Sequence, residues 1–76
     1  MLKADGLDAA IIGVGERCGQ EDILVYDISK VIDILVDRDG MTTDEAYEFF
    51  SFNILGSWVG EKTPMWVREY TEEEGQ

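Results

Sequence analysis

The chain carries many carboxylates and few other groups that could do chemistry. Its 76 residues include seventeen Asp and Glu, only six Lys and Arg and no histidine, for a formal net charge of −11. Histidine is the usual general acid or base, and it commonly activates a cysteine nucleophile. Cys18, the one cysteine, therefore has no such partner. We predict that the protein is not an enzyme, because carboxylate pairs arise by chance in so acidic a composition.

Two short motifs resemble ligand sites without completing them. Asp37-Arg38-Asp39-Gly40 looks like part of a calcium loop, but Ala46 stands where an EF-hand needs its last glutamate. The glycines of segment 13–19 depart from the dinucleotide fingerprint, and no clear helix follows to bind a phosphate. A single cysteine without histidine also makes no zinc cluster. We expect no metal and no cofactor.

The acidic residues themselves are the leading candidates for a binding surface. Two predicted neighbouring helices carry them: Asp33, Asp37, Asp44, Glu45 and Glu48. Two rows of carboxylates would imitate the phosphates of a nucleic-acid duplex, and a basic nucleic-acid-binding cleft would attract them. The alternative is a solvated surface that serves solubility. The same charge argues against direct binding to nucleic acid or to an anionic membrane, so the expected partner is a basic protein.

Four other residues are candidates for an interface. Asn53 lies within a predicted apolar stripe, where its amide either ties the helix to a loop or strand edge or contacts a partner. Tyr47, Trp58 and Trp66 are aromatic residues that either complete the core or form a contact between subunits.

Apolar runs and turn residues predict two strands at the beginning of the chain. The first covers Ala9–Val14 and the second Ile23–Tyr26, with a polar, glycine-containing loop between them. The two strands would pair as a hairpin. A helical start over Leu7–Ile12 is the alternative for the first run.

A first helix is predicted after the second strand. Asp27 is the N-cap candidate and Ser29 the alternative. Gly40 would end the helix in a left-handed conformation, with Met41 packing back onto it. The helical spacing of the apolar residues defines one stripe: Ile28, Val31, Ile32, Leu35 and Val36.

A second helix is predicted to follow at once, because Thr42 and Glu45 match a capping box. This helix would run to Trp58 or Val59 and stop at Gly60. Its predicted apolar face consists of Ala46, Phe49, Phe50, Asn53, Ile54 and Ser57. A last strand is predicted over Met65–Tyr70 after a turn at Pro64.

These elements predict a single α+β domain in the order β-β-α-α-β, with two helices on one face of a three-stranded, mostly antiparallel sheet. The domain would cover residues 1–71, and residues 72–76 would form a flexible acidic tail. The polar N-terminus is unlike a signal peptide, and the apolar runs are too short for a membrane span. We expect a cytoplasmic protein.

The segment from Tyr26 to Val67 resembles a group of small bacteriophage proteins that have no assigned activity. The resemblance is carried by Tyr26-Asp27-x-x-Lys30, Arg38-Asp39-Gly40-Met41-Thr42, Phe52-Asn53-Ile54 and Gly60-Glu61-x-Thr63-Pro64. It implies a phage origin and a role inside the infected host cell. It also favours host takeover or counter-defence, where small acidic proteins that block nucleic-acid-binding enzymes recur.

The resulting hypothesis is a small acidic phage protein that binds and inhibits a host nucleic-acid-handling or defence protein, as a DNA mimic. One alternative is a structural homodimer assembled through Tyr47, Trp58 and Trp66. Another is a small-molecule or metal-binding protein.

Overall fold

A computed structural model describes residues 1–57 and 63–72 of the chain. The strands are β1 (Ile11–Gly15), β2 (Ile23–Asp27) and β3 (Met65–Val67), and the α-helices are α1 (Ile28–Asp39) and α2 (Thr43–Phe49). The predicted small α+β domain with the order β-β-α-α-β is confirmed. The last strand is shorter than the predicted Met65–Tyr70. Of the predicted tail, residue 72 is exposed and residues 73–76 lie outside the described part.

The three strands form one mixed sheet in the order β1-β2-β3. β1 and β2 pair antiparallel as the predicted hairpin, with Gly15 opposite Ile23. β3 pairs parallel to β2, with Val25 opposite Met65. The expectation of a mostly antiparallel sheet is thereby corrected to one pairing of each kind. Parallel neighbours need a long crossover connection, and the chain makes it through α1 and α2.

The start of β1 combines the two predicted conformations. Asp8–Ala10 form a short 3-10 helix, and the extended strand begins only at Ile11. The pairing with β2 shifts register between Ile11 and Gly13, as in a β-bulge. The predicted strand over Ala9–Val14 therefore starts two residues late, and the helical alternative is confined to a single short turn.

The two ends of α1 differ in how far local chemistry explains them. Asp27 occupies the predicted N-cap position in an extended conformation, but its side chain makes no capping hydrogen bond. At the other end Gly40 adopts the left-handed conformation, with φ of 71°. The N–H groups of Gly40 and Met41 both donate to the carbonyl of Leu35, and Met41 packs against the core. The predicted end of α1 at Gly40 is therefore confirmed.

The predicted capping box starts α2. The N–H of Glu45 donates to Thr42 Oγ1 at 3.2 Å, and the N–H of Thr42 donates to Glu45 Oε1 at 2.9 Å. After Phe49 the helical path continues as a π-helical segment, Phe50–Ile54, and then as a 3-10 turn, Leu55–Ser57. The predicted end of this helix, between Trp58 and Gly60, lies outside the described residues.

The core fills the space between the sheet, the helices and the N-terminal segment, by which we mean residues 1–10. Trp66 of β3 packs against Tyr26 and Phe50, with ring centroids 4.8 Å and 5.5 Å apart. The buried residues of this core are Ala4, Leu7, Ala10, Tyr26, Val31, Ile32, Leu35, Ala46 and Phe50. Val31, Ile32 and Leu35 form a buried stripe on α1. The predicted apolar face of the second helix is only partly correct, because Ala46 and Phe50 are buried whereas Phe49, Asn53 and Ser57 are exposed.

Candidate functional site

All five predicted acidic-face residues are exposed. On α1, Val31, Ile32 and Leu35 are buried, and Asp33 and Asp37 fall on the far side because successive residues turn by about 100°. On α2, Asp44, Glu45 and Glu48 fall away from the buried Ala46 by the same geometry. We call these five residues, Asp33, Asp37, Asp44, Glu45 and Glu48, the acidic face.

One carboxylate of the acidic face also has a structural role. Glu45 accepts the hydrogen bond from the Thr42 backbone N–H, and its own N–H donates to the Thr42 hydroxyl. These bonds with Thr42 lower the pKa of the Glu45 carboxyl below its ordinary value, the backbone bond contributing most. Glu45 is therefore held both in position and in its charged form.

Two ion pairs use other carboxylates. Lys3 contacts Asp8 at 3.0 Å, and Arg38 contacts Asp39 at 2.9 Å. Arg38 also donates from Nη1 to the carbonyl of Gly6 at 2.7 Å, which ties the N-terminal segment to the end of α1. Lys3 and Arg38 thus make these contacts with Asp8, Asp39 and Gly6, none of which belongs to the acidic face.

A groove runs along α2 beside part of the acidic face. We call it the acidic groove; it has a volume of 430 Å³ and is lined by Met41, Glu45, Glu48, Phe49, Phe52 and Asn53. Its residues recur three and four positions apart, so they form a continuous stripe on one side of the helix. The stripe combines three apolar side chains with two carboxylates and one amide.

Asn53 lies in the wall that this groove shares with a second one. The second groove, of 310 Å³, lies between the N-terminal segment, the end of α1 and the π-helical segment, and Phe49 and Asn53 also line it. The side chain of Asn53 is exposed, so its amide can reach water or a partner and does not require a buried protein acceptor. The structure therefore places this predicted interface residue beside two grooves.

Two of the three predicted aromatic interface residues lie in the described part of the chain, and they occupy separate places. Tyr47 is 47% exposed on α2, and it lines neither groove. Trp66 is half-buried against Tyr26 and Phe50, where it contributes to the core. Trp58 lies outside the described residues. Of the two described residues, Tyr47 is therefore on the surface and Trp66 belongs to the core.

Phe52 is a surface residue that was not among the predicted site residues. It is 78% exposed, the highest value among the large apolar side chains of the described segments. The signal was present in the sequence, because Phe52 is an aromatic residue outside the predicted apolar stripe of the second helix. It lines the acidic groove together with Glu45 and Glu48, two members of the acidic face.

No protein-family model, curated protein or solved structure matches the chain. Within residues 1–57 and 63–72, no helix is both long and apolar enough to cross a membrane. The same residues contain no cluster of three or more His, Cys, Asp or Glu side chains that could hold a metal ion. What the fold and the groove define is a small α+β domain with an acidic, partly apolar helix surface.

Proposed function

We propose that the protein binds and inhibits a basic host protein that handles nucleic acid or acts in defence. Its carboxylates would occupy the positions at which that protein binds the phosphates of a nucleic acid. The observation that carries the proposal is the exposure of all five acidic-face residues on the solvent sides of two consecutive helices. The chain as a whole is also negative, with a net charge of −11. The resemblance to phage proteins supports the host context.

The physics of such an inhibitor differs from that of an enzyme. A surface of one sign raises the rate of encounter with an oppositely charged cleft, and this steering weakens as salt is added. Binding of a protein to DNA has the same dependence, because both rest on the attraction between basic side chains and anions. The protein would therefore compete with nucleic acid for one cleft and inhibit by occupying it.

A capture experiment with charge-reversed variants tests the proposal. Tagged protein is incubated with bacterial lysate, washed at low and at moderate salt, and the retained proteins are identified by mass spectrometry. We expect a nucleic-acid-handling or defence protein that double-stranded DNA displaces. The variant Asp33→Lys, Asp37→Lys, Glu48→Lys should lose this protein.

The matched control reverses three exposed acids elsewhere, Glu16→Lys, Asp22→Lys and Glu69→Lys, and changes the net charge equally. We expect it to retain the captured protein. Equal loss in both variants would show that only total charge matters, which contradicts mimicry by the acidic face. Retention by both variants would contradict a role for the acidic face altogether.

A second candidate function, a homodimeric assembly module, is supported by the exposed aromatic ring of Tyr47, which lies outside the acidic groove. Exposed apolar groups of this kind are typical of interfaces. Sedimentation equilibrium at several concentrations tests it. A monomer at high micromolar concentration would exclude this function.

A further inference from the structure

We infer that the acidic groove is the anchoring site for the partner, and that it takes a basic amphipathic segment. In this arrangement an Arg or Lys of the segment meets Glu45 and Glu48, and its apolar side chains pack on Met41, Phe49 and Phe52. The inference rests on the proposed function for the basic character of the partner. It goes further by naming the place of contact and the kind of segment that fits it.

The exposed ring of Phe52 is the first argument. A phenylalanine that is 78% exposed leaves most of its apolar surface in water. A chain of this size needs its large apolar side chains for the core, so the exposure of this one is notable. Aromatic residues, phenylalanine included, are enriched at protein interfaces relative to the rest of the surface. Phe52 lies in a groove with Phe49 and Met41, so an apolar partner group would contact several side chains at once.

The π-helical segment is the second argument. The N–H of Leu55 donates to the carbonyl of Phe50, five residues earlier, and this wider turn covers Phe50–Ile54. Within the segment Phe50 is buried in the core, whereas Phe52 is directed to the groove. Single π-helical turns inside α-helices occur frequently at functional sites. Here the π-helical turn contains both a core aromatic residue, Phe50, and a surface aromatic residue, Phe52.

The charges around the groove select the chemistry of the occupant. Glu45 and Glu48 line it, and the capping bonds with Thr42 hold Glu45 in place. A guanidinium or ammonium group can pair with these carboxylates and lie over the ring of Phe52, which combines ion pairing with a cation–π contact. A second copy of the chain is a poor occupant, because its own net charge of −11 would be repelled by the same carboxylates.

The shape of the groove suits a segment of a protein. The groove is open to solvent along its length, so another protein chain can lie against it. It follows one side of a helix, and recognition of an amphipathic helix by an apolar groove is a common mode of peptide binding. Side chains three and four residues apart on the partner would enter the groove together.

A peptide-display selection on the immobilised full chain tests the inference. The probe is a library of random 16-residue peptides, and the enriched peptides are synthesised with a fluorescent label for anisotropy titrations at about 0.15 M salt. We expect enriched peptides to combine Arg or Lys with apolar residues at helical spacing. Phe52→Ala should weaken their binding at least about tenfold, and Glu48→Gln should weaken it about threefold.

Two matched controls lie outside the groove and outside the acidic face. Tyr47→Ala removes an exposed aromatic ring, and Glu16→Gln removes an exposed carboxylate; neither residue lines the acidic groove. Both should change the affinity less than about twofold. All four substituted side chains are exposed, so circular dichroism should show every variant folded.

The inference is overturned if no peptide is enriched, if the enriched peptides lack basic residues, or if Phe52→Ala leaves their affinity unchanged. In the last case, loss of binding in the Asp33→Lys, Asp37→Lys, Glu48→Lys variant would leave the proposed function standing without the groove. If Phe52→Ala abolishes peptide binding while DNA displaces no captured host protein, the groove stands as a binding site and inhibition by mimicry is wrong.

Discussion

The hydroxyl of Tyr26 accepts a hydrogen bond from the backbone N–H of Ala4 at 2.8 Å, and both residues are buried. The bond joins the N-terminal segment to the middle strand of the sheet. The segment contains Gly6 and two aspartates, yet Ala4 and Leu7 are part of the buried core. The hydrogen bond to Tyr26 holds the backbone of the segment in the position that buries them. Arg38 supports the same segment from the end of α1 through its hydrogen bond to Gly6.

Replacing Tyr26 by phenylalanine tests this bond. Tyr26→Phe keeps the ring against Trp66 but removes the acceptor for a buried N–H, so we expect a loss of about 1–2 kcal/mol in the free energy of unfolding. Urea unfolding measures this loss, and hydrogen exchange should show faster exchange at Ala4. Tyr70→Phe is the control, because Tyr70 is 69% exposed. Equal stability of the two variants would contradict the assigned role of the Tyr26 hydroxyl.

The left-handed conformation of Gly40 leads to a second prediction. A side chain at φ of 71° is strained, so Gly40→Ala should destabilise the fold by about 1 kcal/mol in urea unfolding. Gly13→Ala is the matched control, because Gly13 has no positive φ and an added Cβ would meet nothing within 4 Å. We expect the control to be neutral or slightly stabilising. A larger loss at Gly13 than at Gly40 would refute this explanation of the helix end.

The capping box predicts a dependence of stability on pH. The hydrogen bonds of Thr42 lower the pKa of Glu45 from its ordinary value of 4.5 in the folded state. Ionised Glu45 therefore stabilises the fold above that value, and the contribution is lost as the pH falls through the lower folded-state pKa. The difference in urea midpoint between the wild type and Glu45→Gln should be larger at about pH 7 than at about pH 3. A difference that does not change with pH would contradict this role of the charge.

The excess of carboxylates predicts a dependence of stability on salt. A charge of −11 on a small domain repels itself, and salt screens that repulsion, so the melting temperature should rise between about 0.05 M and 0.5 M NaCl. KCl should act equally if screening is the cause. The variant Asp33→Asn, Asp37→Asn, Asp44→Asn should melt higher at low salt and respond less to added salt. A melting temperature that falls with salt would show that the ion pairs outweigh the repulsion.

The parts of the fold that were predicted correctly depend on local chemistry. The hairpin follows from two apolar runs around a polar loop, and the start of α2 follows from the reciprocal bonds of Thr42 and Glu45. The end of α1 follows from a single glycine at the position that needs a positive φ. In each case the residues that decide the structure are close together in the sequence, so the pattern is sufficient.

The parts that were missed depend on distant contacts. The parallel pairing of β3 follows from the path of the chain through both helices, which no pattern within Met65–Val67 encodes. The N-terminal segment has no periodicity, and its burial depends on Tyr26 and Arg38. For the candidate site, Glu45 and Glu48 were predicted together as part of the acidic face, and Asn53 was predicted separately as an interface residue. Phe52 lines the same groove as these three residues, but it was not predicted as a site residue.

The parallel pairing of β3 with β2 also orders the assembly of the domain in time. The β1–β2 hairpin joins neighbouring segments and can form within microseconds, whereas β3 must wait until the chain from Asp27 to Met65 has closed into a loop. Until then Tyr26 and Phe50 lack the indole ring of Trp66. The docking of this strand therefore completes the contacts of Tyr26 and Phe50 with Trp66, and its detachment would expose both rings.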